Sequence, residues 1–330
     1  MKNTASLARL ALALTCSAAW ATAPAPALAA TPYPSKPITL VIPFPPGGAT
    51  DVIGRLLAQK LGEKLGQPVV IENRAGAGTV IGATYVAKAA PDGYTFLLSS
   101  GSTFTVNPAI RPNLPYDPVK SFEPIGIPTR TGLIVLANSA VPVQGVKSFV
   151  DYVKAAPGSH AYGSYGSGTT AHFAGELVQA RTGIKMTHVP YKGSAPAMTD
   201  LIGGQIPFSV DTVAAAVPQL KSGKVKAIGV TTARRSALLP DVPTFAEAGY
   251  RDIDMDTWLL LAAPRGLPAE VKTRLESTLA AIATDPEVQE KMKAQGFEPH
   301  YADAAAAAAL IQKELPVMKA LAESAHITAD

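Results

Sequence analysis

Twice in this chain a short apolar run breaks into a glycine-rich turn and then a helical pattern, and the two occurrences are laid out alike. The first begins at Ile38-Thr39-Leu40-Val41-Ile42, a strand-length run closed by Pro43 to Gly48. Val52, Ile53, Leu56, Leu57, Leu61 and Leu65 then recur at helical spacing from about Thr50. A second strand, Val69-Val70-Ile71, leads into Asn73-Arg74-Ala75-Gly76-Ala77-Gly78, a helix through Ile81, Tyr85 and Ala89, and a third strand over Tyr94 to Leu98. Near Ala161 the series restarts, with strand Ala161-Tyr162, turn Gly163 to Gly168, and a helix from about Thr170 through Phe173, Leu177 and Val178. Strand Met186 to Val189, turn Pro190 to Gly193, helix Pro196 to Ile202 and strand Gln205 to Val210 complete it. Such alternation predicts α/β architecture with largely parallel sheets. Gly66 and Gly183, and Gly76 and Gly193, are both 117 residues apart, and Ser100 and Asp211 are 111 apart. The shared plan predicts two similarly built lobes, against the alternative of one large sheet with coincidental spacing.

The 330 residues, 47% apolar and 16% charged, give a globular composition with room for two domains. Lys2 and Arg9 precede an apolar run from Leu7 to Leu14 and beyond, and Ala27-Leu28-Ala29 is an A-x-A cleavage pattern. Residues 1–30 therefore read as an export signal cut near Ala29 or Ala30. Ser17, Thr22, Pro24 and Pro26 interrupt the run, which favours secretion over a membrane anchor. The one cysteine, Cys16, lies in this segment; Ala13-Leu14-Thr15 before it is a poor lipid-attachment signature. The mature chain holds no thiol, and at about 300 residues needs no disulfide to be stable. Removing the signal leaves 27 Lys and Arg against 25 Asp and Glu, a balance that gives no reason to expect nucleic acid.

Thr131-Gly132-Leu133-Ile134-Val135-Leu136 and Thr257-Trp258-Leu259-Leu260-Leu261-Ala262 are strong strands placed to cross between lobes. With these as crossovers, residues 31–132 and 254–330 form lobe I and residues 133–253 form lobe II, with a hinge and a cleft between them. Val225 to Val230 is a further strand, and helices over Pro268 to Ala283, Pro286 to Gln295 and Asp303 to about Ser324 finish the chain, the last with a kink expected at Pro316.

Metal and thiol chemistry have no motif here: there is no H-E-x-x-H and no cluster of His and carboxylates at ligand spacing, so no cofactor or metal is expected. Ser164 and Ser167, with His172 nearby, invite a serine-hydrolase reading. The residues two before them are Tyr162 and Tyr165, however, so neither fits G-x-S-x-G. Asp51 and Asp211 after their turns suit helix-cap or first-turn roles as well as a carboxylate pair. The turns themselves carry more. Pro45 to Thr50, Gly76 to Thr79 and Gly166 to Thr170 stand between strand and helix, where unpaired N–H groups and the positive dipole end meet. None matches a nucleotide motif; short Gly/Ser/Thr turns without a lysine suit a small carboxylate, although glycine is common at such turns in any α/β protein. Lys192 and Arg74 occupy similar turns, either as partners for a second acidic group or as solvated cations. Phe44 and Tyr165 offer apolar cleft surface, with core packing an alternative for Phe44, and Trp258 fits hinge or core better than a ligand platform.

Tyr33-Pro34-Ser35-Lys36-Pro37-Ile38, Pro43-Phe44-Pro45-Pro46-Gly47-Gly48-Ala49-Thr50-Asp51 and Val70-Ile71-Glu72-Asn73-Arg74-Ala75-Gly76-Ala77-Gly78 resemble the Bug family of periplasmic substrate-binding proteins. These serve tripartite tricarboxylate transporters. The likeness continues through Pro91-Asp92-Gly93-Tyr94, Asn107-Pro108, Val189-Pro190-Tyr191-Lys192-Gly193, Asp241-Val242-Pro243-Thr244 and the Trp258 strand. It implies a two-lobed, type II periplasmic binding fold that closes on a carboxylate, without cofactor or chemistry, as a monomer that delivers ligand to membrane subunits. By the same resemblance, ligand contacts from lobe I would come from Phe44, Gly48, Ala49 and Asp51, from Gly78 and Thr79, and from Ser100, Ser102 and Thr103. Lobe II would supply Ser164, Tyr165, Ser167, Gly168, Thr169 and Thr170, then Lys192, Gly193 and Asp211. Two departures from the family pattern stand out: Gly78-Thr79 replaces a further glycine and asparagine, and Tyr165 stands where a small residue is frequent. Family ligands range over di- and tricarboxylates, acidic amino acids and aromatic acids. An exported serine hydrolase and a receptor coupled to a signalling protein are the alternatives.

Overall fold

The computed structural model describes residues 32–329. The export segment, its cleavage point at Ala29 or Ala30 and Cys16 lie outside the described residues.

Leu40, Val41 and Ile42 are fully buried because β1 (Ile38–Ile42) has parallel neighbours on both sides, β2 (Val69–Asn73) and β3 (Thr95–Ser100). Helix α1 (Ala49–Leu65) joins β1 to β2 and buries Ile53, Leu57 and Leu61, each contributing roughly 1.5–3 kcal/mol by its removal from water. It ends at Gly66, whose φ of 74° places it in the left-handed region where glycine carries no Cβ penalty. Helix α2 (Val80–Ala87) leads to β3, after which a π-turn over Ser102–Val106 runs into the short α3 (Asn107–Ile110).

Strand β4 (Phe122–Asn138) is 17 residues long and passes between the two halves of the fold. Its first part pairs antiparallel with β9 (Asp256–Pro264) and β10 (Glu298–Asp303). From Leu133 onward it pairs antiparallel with β7 (Phe208–Thr212) and, from Ile134, with β8 (Val225–Val230). Through β4 the strands form one path, β2-β1-β3-β9-β4-β7-β5-β6. The second half repeats the first. β5 (Ala161–Ser164) lies between parallel β6 (Thr187–Pro190) and β7, as β1 lies between β2 and β3. Helix α4 (Gly145–Ala155) precedes this unit, α5 (Thr170–Thr182) joins β5 to β6, α6 (Ser194–Ile202) joins β6 to β7, and α7 (Val213–Lys221) follows β7. Gly183, the counterpart of Gly66, caps α5 with a φ of 71°, and Gly76 and Gly193 share positive φ at 134° and 115°.

Each half has its own core. Val41, Leu97, Phe104, Trp258 and Leu260 cluster in the first, and Ile134, Leu136, Leu201, Val213 and Val230 in the second. The fold is therefore two-lobed, with β4 and the start of β9 side by side at the junction. Trp258 stacks on Phe104 at 6.0 Å and donates from Nε1 to Glu314, which makes it a core residue. The chain closes with α8 (Ala269–Ala283), α9 (Pro286–Ala294) and α10 (Ala304–Ser324), as the sequence predicts, with Pro316 inside the last. Between α9 and α10 lies β10, which the sequence reading does not anticipate: Glu-Pro-His-Tyr-Ala-Asp lacks apolar alternation, and pairing with β4 makes it a strand. Among the described residues no helix is long and apolar enough to cross a membrane.

Candidate functional site

The glycine-rich turns of both lobes meet face to face. They touch across a seam at several points. Thr170 N–H donates to Ser102 Oγ at 3.0 Å. Gly78, at φ 62°, lies so close to the Ser167 carbonyl that a Cβ there would collide with it. The Phe44 and Tyr165 rings meet edge to face at 6.1 Å. Both rings line a small cavity of about 30 Å³, called the inner cavity, and a groove of about 540 Å³, called the outer groove; another groove of about 470 Å³ shares Ala49, Ser194 and Phe297 with the small cavity.

Inside, the cavity is bounded by the starts of α1 and α6. Gly48 is the N-cap of α1 and Gly193 that of α6, and neither helix start receives a side-chain cap. Gly48, Ala49, Thr50 and Ser194 line the cavity, so two first turns with N–H groups unpaired within the helix face it from opposite lobes. Helices α5 and α7 differ. The Thr169 side chain accepts from His172 N–H and the Thr212 side chain from Ala215 N–H, which satisfies part of each first turn internally. Ser100, Thr131, Thr257 and Leu259 form a strand-built floor, and Phe297 adds apolar wall. The lining residues include no Lys, Arg or His.

The two aspartates hold the turns. Asp51 accepts from Gly47 N–H at 3.0 Å, from Asn73 Nδ2 at 2.9 Å and from Arg55 through two bonds. Burial opposes its charge, but these hydrogen bonds together keep its carboxyl below the usual carboxylate range. Asp211 accepts from Ser194 Oγ at 2.5 Å and Thr212 N–H at 2.7 Å; burial pushes it up to about 6. Both side chains are thus turned into the protein, under Gly47 and Ser194.

Of the residues proposed as contacts from sequence, Phe44, Gly48, Ala49, Ser100, Tyr165 and Gly193 line the inner cavity. Gly78, Thr79, Ser167, Thr169 and Lys192 line the outer groove, with Arg111. Asp51, Ser102, Thr103, Ser164, Gly168, Thr170 and Asp211 line neither. Thr103 donates to Thr79 Oγ1 at 2.7 Å from behind, and Ser102 and Thr170 form the seam. Ser164 is buried and bonded to His188 Nε2 at 2.7 Å. Gly168 N–H donates to His172 Nδ1 at 3.3 Å. Arg74 stacks on Tyr85 at 3.6 Å and pairs with Glu72, which occupies it outside the cleft. The cavity lining also includes Thr131, Ser194, Thr212, Thr257, Leu259 and Phe297, which the sequence reading did not single out. Strand parity from Trp258 was the available signal for Thr257 and Leu259, which flank it and face the other way.

The profile of the tripartite tricarboxylate transporter family receptors, TctC, matches residues 53–327. The chain belongs to that family. This receptor is 37% identical over 273 residues to Protein BugT of Bordetella pertussis, which covers 82% of this chain and 84% of BugT. Among solved structures it is similar to R. palustris Rpa4515 with adipate, with a TM-score of 0.87 and 35% identity over 90% of this chain and 99% of that one. MatC from Rhodopseudomonas palustris with bound malate matches with a TM-score of 0.83 and 31% identity over 88% and 99%. The receptor is accordingly a periplasmic solute-binding protein, and family members are not enzymes, which removes the serine-hydrolase alternative.

Proposed function

We propose that this receptor captures a small carboxylate in the inner interlobe cavity and delivers it to the membrane subunits of a tripartite tricarboxylate-type transporter. The observation that carries the reading is the pair of uncapped helix starts, α1 and α6, aimed at one cavity from opposite lobes. A carboxylate accepting from both would hold the lobes together, each charge-assisted hydrogen bond contributing about 1.5–3 kcal/mol. The adipate and malate in two similar structures support the ligand class. Residues 31–132 and 254–330 act as lobe I and 133–253 as lobe II, after removal of residues 1–30, and the receptor works as a monomer.

A cavity of about 30 Å³ has room for roughly two waters. A carboxylic acid therefore enters an opened cleft, and closure follows. Ligand touching both lobes stabilises the closed state by its differential affinity for it, and the closed state is what the transporter recognises. Thr170, Ser102, Gly78 and Ser167 form the closing seam. A thermal-shift screen against di- and tricarboxylates, acidic amino acids and aromatic acids tests this. A raised Tm with at least one carboxylate class is expected; a shift with a neutral sugar and with no carboxylate would contradict it.

A further inference from the structure

The floor of the inner cavity carries a hydroxyl with no partner. Thr257 of β9 sits opposite Thr131 of β4, where the two strands run side by side between the lobes. Side chains alternate along β9: Trp258 and Leu260 pack in the first core, whereas Thr257 and Leu259 line the cavity. Thr131 is engaged, accepting from Ala214 N–H and donating to Gly296 O, both at 3.3 Å. Thr257 is 3% exposed, and its Oγ1 bonds to nothing. Buried hydroxyls are ordinarily satisfied, so an unsatisfied one at a cavity wall is a position where a ligand gains a bond without breaking one.

The wall also restricts charge. The helix starts of α1 and α6 supply donors for one carboxylate, and Phe44, Tyr165, Leu259 and Phe297 supply apolar surface around the ligand's body. Among the described residues no cationic side chain lines the cavity, and the ionisable group held beneath Ser194 is the acid Asp211. Once the first carboxylate has taken both uncapped helix starts, a second would be desolvated with neither a cation nor a further uncapped start to meet it. A neutral hydroxyl or carbonyl escapes that cost and satisfies Thr257.

We propose that Thr257 reads the far end of the ligand, and that the site takes acids with one negative charge, an apolar body and a neutral hydrogen-bonding group opposite the carboxylate. This rests on the reading of the inner cavity as the carboxylate site. Calorimetric titration at pH 7.5 with two matched sets tests it: hexanoate, 6-hydroxyhexanoate and adipate, and benzoate, 4-hydroxybenzoate and terephthalate. In the set that binds, the hydroxy acid is expected to bind about tenfold tighter than the diacid and roughly threefold to tenfold tighter than the unsubstituted acid. Thr257→Val removes the second advantage and leaves Tm unchanged or raised, because the lost hydroxyl had no partner. Thr257→Ser keeps the preference. A diacid that binds tightest, or a hydroxy preference that survives Thr257→Val, overturns the inference while leaving the carboxylate reading standing. Binding of none of the six acids overturns both.

Discussion

The inner cavity and the outer groove share the Phe44–Tyr165 wall and otherwise oppose each other in chemistry. The inner cavity is small, has no cationic side chain among the described residues, and is faced by two uncapped helix starts. The groove outside is large, carries Arg111 and Lys192, and borders a helix start that Thr169 already caps. Cationic side chains thus lie in the groove and fixed backbone dipoles face the cavity. A lysine or arginine attracts anions over several ångströms but is screened by salt and retains its water. Backbone N–H groups at a helix start are preorganised, and their attraction strengthens as closure removes solvent. On the proposed reading, attraction falls to the groove and retention to the cavity.

Four substitutions separate these roles. The largest effect is expected at the seam. Gly78→Ala places a Cβ against the Ser167 carbonyl only when the lobes are closed, so affinity falls by about 100-fold or more as the competent state is depopulated. The left-handed φ of 62° adds a stability loss of about 1 kcal/mol. Calorimetry and small-angle scattering read both consequences; normal affinity with normal ligand-induced compaction would exclude closure at this seam. Next comes Ala49→Pro. Proline suits the first helical position, and Gly48 at φ −79°, ψ 168° already has the extended conformation a following proline requires. One donor is removed without disturbing the helix, so affinity is expected to fall about 10- to 100-fold at unchanged Tm.

The third prediction concerns pH. Asp211 titrates near 6 in the folded chain and ordinarily near 3.8, so the native state holds its proton more tightly than the unfolded state. Its contribution to stability is therefore greatest below about pH 4 and is lost as pH rises through 6, by up to about 3 kcal/mol. Asp211→Asn removes this slope, and its Tm relative to the unsubstituted protein should rise between pH 4.5 and 7. A flat difference would show that Asp211 does not carry the shift. The smallest effect is expected in the groove. Lys192→Ala should alter affinity by less than about threefold while lowering the association rate at low salt; a tenfold loss of affinity that persists at high salt would move retention outward.

Much of this was legible in the chain. The glycine-turn pattern foretold the repeated strand order, because Gly66 and Gly183 end equivalent helices and Gly76 and Gly193 occupy equivalent turns. Helix α4 went unassigned, although Val146, Phe149, Val150 and Val153 are buried at helical spacing, since it falls between the two series. The sequence pointed to the turns that meet across the seam but not to which of them have donors to spare. That depends on whether a threonine such as Thr169 or Thr212 rotates its hydroxyl back onto its own helix, and glycine at 48 and 193 has none to rotate. In a one-dimensional reading Asp51 and Asp211 suit helix-cap or first-turn roles, and ligand contact only by the family resemblance. Only their partners, Arg55, Asn73 and Ser194, show them facing inward.

The most direct measurement is a crystal structure of the receptor with the tightest-binding carboxylate from the thermal-shift screen. The account predicts carboxylate oxygens within hydrogen-bonding distance of N–H groups at the starts of both α1 and α6, inward of the Phe44–Tyr165 wall. A carboxylate held in the outer groove by Arg111 or Lys192, with both helix starts unengaged, would contradict it.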